Sequence, residues 1–177
     1  MAGAYSAVVH GLAVFDVDGV LADVAHRRHH LVRRDWDAFF AAAADDPALP
    51  TGITMAHQCA DAGLTVVYLS GRPERLRRPT ADWLDRHGLP PGELLLRPDH
   101  DRSPATRLKL GVLRSLARRQ DVVTFVDDDP EVVDAVRAAR PPLVSGQVFF
   151  ADWQTGQRGN ADGQRLMRRA QQVEGRT

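Results

Sequence analysis

Short apolar runs alternate with amphipathic stretches along this chain. Leu12–Phe15, residues 65–69, 94–96 and 122–126, and Gln147–Phe150 each read as a strand of a buried sheet. Helical periodicity falls between them. Residues 53–61 precede the second strand and stop at Gly63, and residues 74–87 follow it and close at Gly88. Residues 105–119 place Leu108, Val112, Leu113 and Leu116 on one face, and residues 130–139 begin with proline in the first turn, a favoured position. Strands alternating with helices predict an α/β fold, with a mostly parallel sheet covered on both faces.

Residues 22–50 break the alternation. They contain His26-Arg27-Arg28-His29-His30-Leu31, then Asp35-Trp36-Asp37-Ala38-Phe39-Phe40 and a run of alanines. Two short helices are expected here, inserted after the first strand as a small lid near the active edge. Trp36, Phe39 and Phe40 follow helical spacing, which favours the core of that lid over a stacking face for a base. The histidines lack the carboxylate or cysteine spacing of a metal site, and the adjacent arginines repel a cation. An exposed basic helix is the expectation. The main domain is expected over residues 8–153. Residues 154–177, rich in Gly, Gln and Arg, read as a peripheral, partly mobile tail with a short helix near 164–173.

Composition narrows the class. At 177 residues, with 44% hydrophobic and 26% charged, the chain suits one soluble globular domain. Its 23 basic and 23 acidic residues cancel, so nucleic acid would have to be held by a local patch rather than a global field. Cys59 is the sole cysteine, which excludes an intramolecular disulfide and fits a reducing compartment. Beside Met55 and Ala60 it reads as core rather than as a nucleophile. The sequence has neither a secretory-signal pattern nor a transmembrane run, so a cytoplasmic location without a membrane partner is expected.

Polar groups follow the strand ends, where ligands bind in open α/β sheets. Asp16-Val17-Asp18-Gly19 follows the first strand. Two carboxylates one residue apart leave near one point, where one can attack while the other moves a proton, and Gly19 permits a tight turn. Ser70-Gly71-Arg72-Pro73 follows the second strand, a hydroxyl with exposed amides at an expected helix start, which suits phosphate. Asp127-Asp128-Asp129-Pro130 follows the fourth. One of these aspartates can cap the next helix, but three adjacent carboxylates call for a cation, and a hard ion such as Mg²⁺ suits oxygen ligands that include Asp16. Lys109 is the only lysine, whereas the other 22 basic residues are arginine, so position 109 points to a need for a compact ammonium.

In these motifs the chain resembles the haloacid dehalogenase (HAD) superfamily of phosphotransferases: Asp16-x-Asp18-Gly19, Ser70, Lys109 and Asp127-Asp128 occur in its order. The likeness spans about residues 10–153. It implies a HAD-like Rossmannoid three-layer sandwich with a small helical cap, and phosphatase rather than dehalogenase chemistry because of Asp18. It implies that Asp16 is the nucleophile, Asp18 the acid and base, Ser70 a phosphoryl ligand and Lys109 a charge neutraliser. Mg²⁺ would be held by Asp16, the Asp18 backbone carbonyl and Asp128, with Asp127 close behind. Val20 replaces a frequent threonine, and Val132 stands where some relatives carry a further carboxylate; neither change threatens the mechanism.

Within the superfamily, Ser70-Gly71-Arg72, Leu96-Arg97, Val126-Asp127-Asp128 and the closing residues 148–153 are similar to the 3′-phosphatase module of phage-type polynucleotide kinases. Gly71, Arg72 and Arg97 would then bind the phosphorylated substrate. Arg75, Arg102 and Arg107 add to an arginine cluster suited to a phosphodiester or a nucleotide phosphate. No Gly-x-x-x-x-Gly-Lys-Ser/Thr loop is present, so kinase activity is not expected, although a separate kinase or ligase could be a partner. The expected activity is removal of 3′-phosphates from nucleic-acid ends or nucleotides. A phosphatase for a sugar phosphate or similar metabolite remains the alternative, and a non-catalytic binder of phosphorylated ends a third.

Overall fold

The computed structural model describes residues 10–153. The expected tail over 154–177, with its helix, lies outside the described residues, as do the first two residues of the expected domain.

Five parallel strands form one sheet in the order β3-β2-β1-β4-β5. They are β1 (Leu12–Phe15), β2 (Thr65–Pro73), β3 (Gly92–Arg97), β4 (Val122–Asp127) and β5 (Gln147–Phe150). The helices are α1 (His29–Val32), α2 (Trp36–Ala41), α3 (Pro50–Asp61), α4 (Arg77–Arg86), α5 (Ala105–Ala117) and α6 (Pro130–Ala138). Single 3₁₀ turns occupy Ala25–Arg27, Ala42–Asp45 and Glu74–Leu76.

Side chains on a strand alternate between faces, and the core divides accordingly. Ala13, Phe15, Val66 and Tyr68 pack with Ala56 of α3 and Trp83 and Leu84 of α4. Leu12, Val14, Val67 and Leu69 pack on the opposite face with Leu113 and Leu116 of α5 and Val132 and Val136 of α6. The expected α/β layering is therefore present, and every expected strand and core helix lies within a few residues of its observed position.

Strand order sets the location of the site. From β1 the chain moves outward through β2 to β3, then returns to place β4 on the other side of β1. The direction of winding reverses between β1 and β4, which opens a crevice beyond their carboxyl ends. Phe15 pairs with Val126, and the Asp16 amide donates to the Val126 carbonyl (2.9 Å). Asp16 and Asp127 thus leave adjacent strands together.

The second strand differs from expectation. It does not end at Leu69 but stays extended through Pro73, with a register irregularity against β3. Proline disfavours a helical residue before it, and Pro73 itself is extended, so the chain first turns at Glu74 and α4 starts only at Arg77. Ser70 and Gly71 therefore lie on a strand, and the expected helix start directly behind them is not formed.

Between β1 and α3, residues 22–50 fold into short helical pieces. Leu31, Trp36, Phe39 and Phe40 form their own buried cluster, so the aromatics are core. Trp36 packs edge-on to Phe39 at 5.9 Å and stacks with Phe40 at 6.0 Å. Burying each ring is worth about 1.5–3 kcal/mol, enough to order a small unit tied at both ends to the core. Two indole N–H groups secure the edges: Trp83 donates to the Asp46 carbonyl (2.8 Å) and Trp153 to the Val20 carbonyl (3.0 Å).

Helix α3 presses on the turn after Asp18. A Cβ on Gly52 would lie 2.0 Å from the Val20 carbonyl oxygen, and backbone cannot yield cheaply. Gly52→Ala is expected to destabilise the protein by about 1–3 kcal/mol, read as a lower urea midpoint. An unchanged midpoint would show that α3 can slide away from this turn.

Candidate active site

Each site residue stands where a strand runs out. Asp16 and Asp18 follow β1, Ser70 and Arg72 occupy the end of β2, and Asp127 closes β4. Lys109 reaches the same point from the first turns of α5. Asp16, Asp18, Ser70, Lys109 and Asp127 are all buried, while Asp128 is partly exposed.

Lys109 is the hinge of one half of the site. Its Nζ lies 2.8 Å from Asp16 Oδ2 and 2.8 Å from Asp127 Oδ2. Burial opposes its charge, but Asp127 and Asp16 outweigh that and raise its pKa above the usual lysine value. The Asp127 oxygens are both engaged, Oδ2 by Lys109 and Oδ1 by the Asp129 amide (2.9 Å). Asp129 accepts from the Glu131 amide and caps α6, so one of the three adjacent aspartates does serve the helix.

Carboxylate oxygens of Asp16, Asp127 and Asp128 come within 4.8 Å of one another. Among the described residues this is the group of three or more potential ligands that assembles, and no histidine belongs to it. Burial pushes the Asp16 carboxyl up to about 7; Lys109 opposes the rise, and Asp127 and Asp18 add to it. Burial, Asp16 and Asp127 likewise hold Asp128 well above the usual carboxylate range. Such crowded, desolvated carboxylates suit a hard divalent cation, which would remove their mutual repulsion. Asp127, already given to Lys109 and an amide, is better placed to support Asp128 than to bind an ion itself.

The other half of the site joins Asp18 and Arg72 to two residues that the sequence does not single out, Arg27 and Asp46. Arg27, expected on an exposed basic helix, is wholly buried in its 3₁₀ turn. Its Nη2 donates to Asp18 Oδ1 (2.8 Å) and Asp46 Oδ2 (2.7 Å), its Nε donates to Asp46 Oδ1 (2.6 Å), and its guanidinium covers the Phe39 ring at 4.1 Å. Arg72 mirrors it, donating to Asp18 Oδ1 (2.6 and 3.0 Å) and Asp46 Oδ2 (2.7 Å), with Thr80 at 3.4 Å. Two carboxylates and two guanidiniums thus form a closed, buried square that ties residues 22–50 to the turn after β1 and to the end of β2. Burial raises Asp18, but Arg72 and Arg27 overcome it and hold the carboxyl at about 2. Asp46, which no motif singled out, has its pKa raised by burial despite Arg27 and Arg72. His26 Nε2 also lies 2.8 Å from Asp46 Oδ1.

The expected phosphate ligands divide. Arg72 is committed to Asp18 and Asp46. The Ser70 hydroxyl accepts from the Arg72 amide at 3.2 Å. Arg97 donates to the Gly71 carbonyl (3.3 Å) and, with Gly71, lines a cavity that also receives Arg75 and Arg102. Arg107 lies exposed on α5, outside that lining. Cys59 is partly buried beside the core, and burial raises its thiol pKa, in keeping with a packing role.

This pairing of Asp-x-Asp, Lys109 and a terminal aspartate pair in a doubly wound sheet agrees with comparison at the family level. The family of the polynucleotide kinase PNKP phosphatase domain matches residues 11–153. The chain belongs to this family. Residues 11–153 accordingly form a HAD-type phosphatase domain. The solved structure of a Pnkp1/Rnl/Hen1 complex contains a chain of the same fold, 21% identical, with TM-score 0.63 over 81% of this chain and 47% of that one. This chain therefore spans about half the length of that relative. A class C acid phosphatase from Bacillus anthracis, with tungstate bound, is 18% identical with TM-score 0.54, over 91% of this chain and 79% of that one. A dehalogenase is 14% identical with TM-score 0.50, over 84% and 93%. No curated protein sequence matches significantly. Among the described residues no helix is long and apolar enough to cross a membrane.

Proposed function

We propose that this HAD phosphatase removes 3′-phosphates from nucleic-acid ends or nucleotides through an aspartyl-phosphate on Asp16. The observation that carries the chemistry is the Asp16–Lys109–Asp127 chain beside Asp18, at the point where the sheet reverses direction. An Asp16 oxygen attacks phosphorus as the bond to the departing ribose oxygen breaks, and Asp18 supplies the proton that this oxygen takes up. In the second half-reaction Asp18 accepts a proton from water as the water displaces Asp16 and releases phosphate. Lys109 balances charge on Asp16 and the phosphoryl oxygens, and Ser70 hydrogen-bonds the phosphoryl group. Mg²⁺, held by Asp16, the Asp18 carbonyl and Asp128, would neutralise the anionic centre and favour ionised Asp16.

Asp18 carries no proton at neutral pH while both arginines hold it near 2. A phosphate dianion entering beside it adds like charge and raises its pKa. The acid role of Asp18 thus requires the substrate complex to raise its pKa by several units, and the base role is open to it once the leaving group has gone.

Nucleic-acid ends are supported by the family match and by the arginine-lined cavity beside Gly71. The Rnl and Hen1 chains in the related RNA repair complex make a separate end-processing partner a natural counterpart for this chain, and its single cysteine accords with a reducing, cytoplasmic setting. Phosphate release with Mg²⁺ from matched 3′- and 5′-phosphate oligonucleotides, a 3′-mononucleotide and a sugar phosphate tests the reading. At least tenfold higher kcat/KM on the 3′-phosphates is expected. Preference for the sugar phosphate would instead assign a metabolite phosphatase, and binding without phosphate release a non-catalytic module.

A further inference from the structure

A cavity of about 250 Å³ opens beside the catalytic strand, lined by Asp37 and Phe40 of α2, Gly71 and Pro73 of β2, and Arg75, Arg97 and Arg102. Three arginines line it. Arg97 is buried, and its Nη1 donates to the Ser103 carbonyl at 2.7 Å with Asp101 at 3.9 Å. Burial lowers its pKa, so the fold spends free energy to keep a cation at the back of this cavity. Arg75 is held only loosely, by Asp37 at 3.5 Å and Asp99 at 3.6 Å, and both carboxylates are solvent-exposed. Exposed pairs of this kind contribute little, so a phosphate can replace them. Arg102 is positioned by the Asp99 and Asp101 carbonyls. Phe40 and Pro73 supply an apolar wall, and the Arg75 guanidinium stands 5.8 Å from the Phe40 ring centroid.

We propose that this cavity is a second phosphate subsite, which takes the phosphodiester one nucleotide upstream of the phosphate being removed. Arg75 and Arg102 contact that phosphodiester, Arg97 supports it from behind, and Phe40 with Pro73 faces the intervening sugar. Residues rise about 3.3 Å each along a strand, so the lining from Gly71 to Pro73 begins next to Ser70 and ends about 10 Å away. A neutral chain with no overall attraction for nucleic acid would then distinguish a strand end from a lone phosphomonoester by this local patch. The inference rests on the 3′-end reading above and adds to it the feature of the substrate that is recognised.

The test compares a nucleoside 3′-monophosphate, the corresponding 3′,5′-bisphosphate, a 3′-phosphorylated trinucleotide and p-nitrophenyl phosphate, on wild type, Arg75→Ala and Arg102→Ala. In wild type, kcat/KM for the bisphosphate and trinucleotide should exceed that for the monophosphate by about 10- to 100-fold, mostly through KM. Either variant should remove most of that advantage and flatten its salt dependence. The readout is the ratio between substrates, with p-nitrophenyl phosphate turnover reporting that the variant is folded. Equal rates on the mono- and bisphosphate in wild type would overturn the subsite, as would a variant that loses all substrates in the same proportion. Trinucleotide turnover insensitive to both arginines would sink the subsite alone and spare the 3′-end reading. Turnover of p-nitrophenyl phosphate with none of any 3′-phosphate would sink both.

Discussion

Asp16→Asn should abolish phosphate release, by roughly 10⁴-fold or more, while making the metal-free protein more stable at pH 8. The first effect follows from losing the attacking oxygen. The second follows from the position of Asp16. Its carboxyl is raised from 3.8 to about 7, chiefly by burial, so the folded protein keeps a proton that the unfolded chain has already released. That contribution is fully present below about 3.8 and is lost as pH rises through about 7. Asp18 acts in the opposite sense, but its contribution fades only as pH falls from 3.8 towards about 2, outside the working window. Wild type in chelator should therefore melt at falling temperatures between pH 5 and pH 8. Asp127, Asp128 and Asp46 are shifted in the same direction as Asp16, so the asparagine variant should show a shallower slope, not a flat one. At pH 8 the variant should melt about 5 °C higher than wild type, and added Mg²⁺ should stabilise wild type more than the variant. Lys109 retains Asp127 as a partner in the variant, so its charge is not orphaned. A destabilised Asp16→Asn protein, or one with substantial turnover, would contradict this account of the site.

Arg27→Ala is the second change with a large expected effect, and on periodicity alone it would be dismissed as a surface substitution. Removing the guanidinium leaves Asp18 and Asp46, both buried, to share Arg72, with His26 as a further partner of Asp46. Uncompensated charge of this kind typically costs about 3–5 kcal/mol, a large share of the stability of a domain this size. Activity should fall as well, because Arg27 is one of the two groups that set the charge and orientation of Asp18. Arg27→Lys retains a charge but not the fork that reaches Asp18 and Asp46 together, so it should recover part of the stability and little of the rate. Urea unfolding and kcat on a 3′-phosphate oligonucleotide measure the two effects separately. An Arg27→Ala protein with an unchanged midpoint and kcat within twofold of wild type would mean that Arg72 alone holds both carboxylates.

These two variants mark the limit of what could be read from the chain. Asp16 is visible in the sequence because its signal is local: an apolar strand, then two acids and a glycine at the edge where such sheets bind ligands. Ser70 and the Asp127 region are recognisable for the same reason, each as a polar group at a strand end, and Lys109 stands out as the only lysine beside 22 arginines. The sheet and both helical layers follow from a similar short-range pattern, since burial on two faces forces apolar runs and amphipathic helices. Arg27, by contrast, stands next to Arg28 in a run of basic residues, and no periodicity separates the wholly buried arginine from its neighbours. Its partners Asp18 and Asp46 lie 9 and 19 positions away, and Arg72 is 26 from Asp46. Such pairings depend on where the chain returns in space, and the aromatic cluster of residues 22–50 packs with Leu76, just beyond β2. The cavity beside Gly71 and the commitment of Arg72 to carboxylates have the same origin, whereas the continuation of β2 follows locally from Pro73. The sequence by itself determined the architecture and the groups proposed to react. Only the tertiary structure decided which arginines are buried to hold the acid in place and which face a cavity, because the free energy of a buried charge is set by its neighbours in three dimensions.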